Sequence, residues 1–66
     1  MIVFVNEQRV EVDDTITLTQ LLVELKMPHK GIAIAIGQEI VPASEWDSYV
    51  LKEQVKVLII RATQGG

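Results

Sequence analysis

The sequence predicts an α+β fold, a mixed β-sheet with one main helix packed on one face. Two observations support this class. Only one segment of the 66 residues has helical apolar spacing, and five short segments have the alternating or β-branched pattern of strands. Because one helix cannot cover both faces of a sheet, the second face is expected to stay open.

The first two predicted strands form an N-terminal hairpin. Ile2 to Val5 is an apolar run rich in β-branched residues, which is typical of a strand. Arg9 to Val12 alternates polar and apolar residues and is expected to be its half-buried partner. The three residues 6–8 supply the turn.

A single amphipathic helix follows the hairpin. Thr17 and Gln20 have the spacing of a capping box. Apolar residues then recur on one helical face, at Leu18, Leu21, Leu22 and Leu25. Lys26 is expected in the last turn, where a cation suits the helix dipole, with Pro28 and Gly31 ending the element. The favoured role of these leucines is to pack against the core. The alternative is that the helix binds a partner through a groove.

The second half of the chain predicts three more strands. Residues 32–36 alternate isoleucine and alanine, which predicts an interior strand with its isoleucines toward the helix. Residues 39–41 form a short return strand that Pro42 ends, and Val55 to Arg61 is the last strand. Residues 44–47 are expected to form a single helical turn.

This order of elements is that of the ubiquitin-like β-grasp fold, in which the first and last strands lie side by side at the centre of the sheet. We expect one domain over residues 1–66. Residues 61–66 are expected to be a flexible C-terminal tail, because their sequence has no apolar pattern that would hold them to the core.

The composition excludes several classes of function. There is no cysteine, so disulfides, cysteine-based zinc sites and thiol nucleophiles are excluded. A net charge of −3 disfavours nucleic-acid binding and suits a partner with a basic surface. No apolar run is long enough to span a membrane and the first residues lack a signal-peptide pattern, so we expect a cytoplasmic protein without membrane association.

Few residues have the pattern of a catalytic or metal site. Asp13 and Asp14 lie in a turn and His29 in a loop, where solvated side chains are the favoured interpretation. Trp46 is expected to pack against the core, with a role as a partner anchor the alternative. No metal site and no bound cofactor are expected, and the chain is predicted to be a substrate of enzymes rather than an enzyme.

The last predicted strand carries the first candidate functional feature. Lys56 should face solvent, and alternation then places Leu58 and Ile60 on the same open face. Ile2 and Phe4 join them if the valines of the first strand point at the helix. A contiguous apolar patch of this kind is typical of protein-binding surfaces, the alternative being a loop or a second copy that covers it.

The second candidate feature is the terminal pair Gly65 and Gly66. Glycine has no Cβ, so such an end can thread a narrow cleft and bring the Gly66 carboxylate to a buried site. The six residues from Arg61 onward span about 20 Å when extended. The alternative is a frayed end without function.

Together these motifs resemble the ThiS family, the sulfur carriers of thiamin biosynthesis. The resemblance rests on Gly31–Ile36, Ile40–Pro42, Ser44–Trp46, Ala62–Gly66, an opening strand that ends in Asn6, and the leucine-rich helix. The chain departs from the family in turns, at Gly37, Ala43 and the Glu53-Gln54 pair, which concerns partner contacts more than the fold. The MoaD family of molybdopterin synthase shares the fold and the diglycine end and is the nearest alternative.

The resemblance implies a specific chemistry. A ThiF-like adenylyltransferase would use ATP and Mg²⁺ to adenylate Gly66, and sulfur relayed from a cysteine desulfurase would give a thiocarboxylate that the thiazole synthase ThiG uses. Gln64 and Gly65 would thread the partner's cleft. The docking residues would be Phe4, Leu58 and Ile60. A ubiquitin-like module for protein binding or tagging is the alternative from a different functional class.

Overall fold

Five strands form one mixed sheet in the order β2-β1-β5-β3-β4 in the computed structural model, which describes residues 1–61. The elements are β1 (Ile2–Val5), β2 (Gln8–Glu11), α1 (Leu18–Glu24), β3 (Ile32–Ile36), β4 (Glu39–Val41), a 3₁₀ turn (Ala43–Glu45) and β5 (Lys56–Arg61). β1 and β5 are adjacent and parallel, and the other neighbouring pairs are antiparallel. The predicted β-grasp arrangement, with its first and last strands side by side, is confirmed.

The turn between β1 and β2 is shorter than predicted. Asn6 has φ 50° and Glu7 has φ 70°, so two left-handed residues close the hairpin. Pairing therefore begins at Gln8, opposite Val5. The second strand begins one residue earlier than the sequence analysis placed it, and Val12 lies beyond its end.

The start of α1 agrees with the prediction. The N–H of Gln20 donates to Thr17 Oγ1 at 3.2 Å, and the N–H of Thr17 donates to Gln20 Oε1 at 2.9 Å. These reciprocal bonds form the capping box. The first three leucines of the predicted stripe are fully buried, which confirms that the stripe packs into the core.

The predicted end of the helix is wrong. The helix ends at Glu24, and Lys26 lies beyond it with φ 57° rather than in the last turn. The N–H of Lys26 donates to Val23 O at 3.1 Å, and the N–H of Met27 donates to Leu22 O at 3.0 Å. These two bonds form a Schellman motif, which ends the helix before the downstream proline and glycine are reached.

The core lies between α1 and one face of the sheet. Its most deeply buried side chains are Leu18, Leu21, Leu22, Ile34 and Val3. Trp46 is 5% exposed and its Nε1 donates to Val41 O at 2.9 Å, so the packing interpretation of the tryptophan is confirmed. Within residues 1–61, every buried side-chain nitrogen or oxygen atom has a hydrogen-bond partner.

β5 continues through Arg61, which pairs with Ile32 of β3. Arg61 therefore belongs to the sheet and not to the predicted tail. The other residues of that tail, including Gln64, Gly65 and Gly66, lie outside the described residues. Among the helices of the described part, none has the length and apolar character needed to cross a membrane.

Candidate functional site

The open face of the sheet is organised by the alternation of β5. Val57 and Ile59 are 2% and 6% exposed and face the core, whereas Leu58 and Ile60 are each 46% exposed. Lys56 is exposed on the same side as Leu58 and Ile60. The orientation of β5 that the sequence predicted is confirmed.

β1 contributes an aromatic side chain to the open face. Val3 and Val5 are buried in the core, so alternation places Ile2 and Phe4 on the opposite side, where both are partly exposed. Phe4 lies beside Lys56 in the parallel pair. The structure therefore brings Phe4 to the same face as the two exposed apolar residues of β5.

β3 and β4 extend the apolar face further than the sequence analysis anticipated. Ala33 lies opposite Ile60, and Ala35 lies between Leu58 on one side and Ile40 on the other. Ile40 is 62% exposed. Val41, the next residue of β4, is 6% exposed and faces the core, so alternation turns Ile40 to the open side. That alternation is the signal by which the sequence could have revealed Ile40. We call the surface formed by Phe4, Ala33, Ala35, Ile40, Leu58 and Ile60 the open apolar face.

A shallow depression lies at one end of this face. It has a volume of about 340 Å³. Its lining consists of Phe4, Asn6, Glu7, Gly37, Lys56, Val57 and Leu58. The lining combines the apolar side chains of Phe4, Val57 and Leu58 with the polar side chains of Asn6, Glu7 and Lys56, so a partner group bound there would meet both kinds of surface.

The charge around the open apolar face differs from the net charge of the chain. Arg9 lies opposite Phe4 on one side and Lys56 lies beside Phe4 on the other, so two cations flank the aromatic ring. Four of the nine carboxylate side chains lie apart from these cations, in a depression near the end of β2 lined by Glu11, Asp13, Asp14 and Glu24, whereas Glu7 lines the depression next to Phe4. Net charge alone therefore does not describe the surface that a partner of this face would meet.

The residues considered for catalysis are not brought together. Asp13, Asp14 and His29 are all exposed. In the part of the chain that the structure describes, no group of three or more histidine, aspartate or glutamate side chains could hold a metal ion. The features that stand out in this part are the open apolar face and the strand that leads from it toward the C-terminus.

These features define the class of protein as a small ubiquitin-like β-grasp protein with an apolar sheet face of the kind that binds other proteins. The model of the ThiS family matches residues 2–66, so the chain belongs to the ThiS family.

Similar proteins cover the whole chain. The chain is 29% identical over 66 residues to the sulfur carrier protein ThiS of Escherichia coli K12, and the match covers 100% of both chains. The crystal structure of the thiamine biosynthesis protein ThiS from Geobacter metallireducens superimposes with a TM-score of 0.84 at 23% identity, again over 100% of both chains. A solution structure of a Geobacter metallireducens thiamine biosynthesis protein gives a TM-score of 0.78 at 23% identity, over 100% of this chain and 88% of the other. The structural matches support the β-grasp fold.

Proposed function

We propose that this chain is a sulfur carrier of thiamin biosynthesis, with the carboxyl group of Gly66 as the site that carries sulfur. The observation on which this rests is membership of the ThiS family over residues 2–66. It is supported by the full-length match to a relative named as a sulfur carrier protein. The chain then serves as a protein substrate for partner enzymes.

The first step is activation of the carboxylate. An ionised carboxylate is a poor electrophile because its charge is delocalised over both oxygens. A carboxylate oxygen of Gly66 attacks the α-phosphorus of ATP, pyrophosphate leaves, and an acyl-adenylate forms. A ThiF-like adenylyltransferase that uses ATP and Mg²⁺ is the proposed catalyst, so this chain needs no bound cofactor of its own.

The second step exchanges oxygen for sulfur. The terminal sulfur of a protein persulfide, loaded by a cysteine desulfurase, attacks the acyl carbon of Gly66 and AMP leaves. A thiol then reduces the resulting acyl disulfide and releases the thiocarboxylate. Sulfur is bound at the main-chain terminus throughout, which is compatible with a chain that has no cysteine.

The third step delivers the sulfur to thiazole formation by ThiG. The thiocarboxylate sulfur is a better nucleophile than a carboxylate oxygen and bonds to the acceptor carbon. The acyl carbon–sulfur bond of Gly66 then breaks, and an oxygen atom from the acceptor or from water restores the carboxylate. Gln64 and Gly65 precede the reactive group and would enter the partner's cleft, where glycine minimises steric conflict.

Docking is assigned to the open apolar face. Phe4, Leu58 and Ile60 are its proposed contact residues, and the exposure of Leu58 and Ile60 supports that role. Ile40 extends the same surface and is added to the proposed contacts. Because β5 carries this face and is the last element before the C-terminal residues in the sequence, a partner bound there is close to Arg61, five residues before Gly66.

Intact-mass spectrometry tests the proposal directly. The chain is incubated with a ThiF-like adenylyltransferase, ATP, Mg²⁺, a cysteine desulfurase and cysteine. The expected product has one oxygen replaced by sulfur, and fragmentation places the change on Gly66. The matched control lacks Gly66 and should keep its mass. An unchanged wild-type mass contradicts the proposal, and isopeptide adducts on lysines of other proteins would favour a tagging module instead.

A further inference from the structure

Beside β5, the side chain of Asn6 makes the hydrogen bonds that main-chain atoms of a neighbouring strand would otherwise make. Its Nδ2 donates to Ile59 O at 3.2 Å, and the N–H of Ile59 donates to Asn6 Oδ1 at 2.8 Å. The two residues are 53 positions apart in the sequence. One carboxamide thus satisfies both main-chain polar groups of Ile59 on the β1 side of β5.

The pattern of hydrogen bonds shows what this side chain replaces. The N–H of Phe4 donates to Val55 O and the N–H of Asn6 donates to Val57 O, each at 2.9 Å. In a continuing parallel ladder, Ile59 would next bond to the backbone of β1 and of the residues after it. Asn6 instead has φ 50° and turns toward β2, so its side chain supplies the missing acceptor and donor.

Few residue types meet both requirements at this position. A left-handed φ is tolerated by glycine and, among residues with side chains, chiefly by asparagine and aspartate. Glycine has no side chain, and ionised aspartate offers acceptors but no donor. Asparagine provides the left-handed backbone, the donor and the acceptor together.

The position of Ile59 makes this contact relevant to the end of the chain. Ile59 lies between Leu58 and Ile60 of the open apolar face and two residues before Arg61. On the β3 side, pairing continues as far as Arg61, which lies opposite Ile32. On the β1 side, the Asn6 carboxamide is the last hydrogen-bonded contact to β5 within residues 1–61.

We propose that Asn6 is a positioning residue for the carrier reaction. By fixing the β1-side edge of β5 at Ile59, it sets the direction of the strand as far as Arg61, the last described residue. Gly66 is then aligned with the activating site while the open apolar face is docked. This inference rests on the proposed function, because it concerns the delivery of the same carboxylate.

Two variants separate the backbone from the side chain. Asn6→Gly keeps the left-handed backbone and removes both hydrogen bonds, and Asn6→Asp keeps the acceptor for the Ile59 N–H but loses the donor. Gln54→Gly is the matched control: Gln54 also has a carboxamide and a positive φ, of 63°, and lies just before β5. Within the described residues, its side chain makes no hydrogen bond.

The readouts are ATP–pyrophosphate exchange by the adenylyltransferase and amide hydrogen exchange of the carrier. For Asn6→Gly we expect kcat to fall roughly 5- to 20-fold, with KM within about twofold, since two hydrogen bonds that orient the strand are lost but the docking face is kept. Amide exchange should accelerate at Ile59, whose N–H loses its acceptor, and stay unchanged at Leu21, whose N–H donates to Thr17 O. Asn6→Asp should lie between wild type and Asn6→Gly in kcat, and Gln54→Gly should match wild type.

Several results would overturn the inference. An Asn6→Gly variant with wild-type kcat shows that the contact does not position the reactive end. A raised KM with unchanged kcat shows that Asn6 acts in docking instead. Should Asn6→Gly fail to fold, the same comparison is made with Asn6→Asp. A wild-type chain that is not adenylated at all overturns the proposed function, and amide exchange at Ile59 then still decides whether Asn6 fixes β5.

Discussion

Leu58 lies directly opposite Ala35 on the open face of the sheet, with Ile40 on the far side of the alanine. An alanine side chain is a single methyl group, so β3 does not cover its larger neighbours. Leu58 and Ile40 consequently remain 46% and 62% exposed. The apolar surface is therefore continuous across β5, β3 and β4, with isoleucine and leucine side chains standing above a floor of alanine.

Leu58→Asp is expected to weaken partner binding far more than folding. A charge placed in a desolvated contact typically costs enough to reduce affinity for the adenylyltransferase roughly 10- to 100-fold. The free energy of unfolding should change by less than about 1 kcal/mol, because the side chain is already half exposed. Isothermal titration calorimetry measures the first effect and urea denaturation the second.

Val23→Asp is the matched control for that variant. Val23 is an exposed apolar residue on α1, on the other side of the sheet from the open apolar face. Its replacement should leave partner affinity unchanged within about twofold, since it adds the same charge away from the proposed contact. Equal losses of affinity in the two variants would show that net charge, rather than the open apolar face, governs binding.

Deletion of Gly65 and Gly66 is expected to abolish sulfur loading while leaving the fold intact. Within residues 1–61 the buried core is built from residues between Val3 and Ile59, and two glycines have no side chains to add to it. The free energy of unfolding should change by less than about 0.5 kcal/mol, and the melting temperature by about 4 °C or less. Calorimetry and intact-mass analysis measure the two effects, and a large loss of stability would refute the predicted exposed end.

Trp46→Phe is expected to destabilise the protein by about 1–3 kcal/mol, because it leaves the carbonyl of Val41 without the donor at 2.9 Å and removes buried apolar contact. Urea denaturation followed by circular dichroism measures the change.

Tyr49→Phe is the control: Tyr49 packs against the core, and its hydroxyl makes no hydrogen bond within residues 1–61. It should change stability by less than about 0.5 kcal/mol, and an equal loss in both variants would contradict the assigned role of the indole nitrogen.

The sequence predicted the fold class and the face of β5 because both depend on local periodicity. One charged residue, Lys56, set the orientation of the strand, and alternation placed Leu58 and Ile60 correctly. Ile40 was missed as part of the surface because β4 has three residues, too few for alternation to stand out. Packing against the core was the favoured interpretation of Trp46, and its 5% exposure agrees with the need of so small a chain to bury its large apolar side chains.

Two other features depend on geometry that local patterns do not contain. The contact between Asn6 and Ile59 joins positions 53 residues apart, and its form depends on a left-handed turn that only the folded hairpin reveals. The end of α1 is set by main-chain hydrogen bonds around Lys26, a residue type that gives no signal of a left-handed backbone. The roles of Gly65 and Gly66 stay predictions, because they lie outside the described residues.

Lys26→Gly is expected to stabilise the protein by about 0.5–1 kcal/mol. Lys26 has φ 57° at the position after the helix cap, where a Cβ costs about 1–2 kcal/mol and glycine costs nothing in strain. The greater freedom of glycine in the unfolded chain removes part of that gain, about 0.4–1 kcal/mol. The Schellman hydrogen bonds from Lys26 and Met27 are main-chain bonds and survive the change.

Urea denaturation followed by Trp46 emission measures the change in stability of Lys26→Gly. Lys26→Ala is the control, because it removes the same charge but keeps a Cβ, and equal stabilisation by both variants would show that charge rather than backbone strain is responsible.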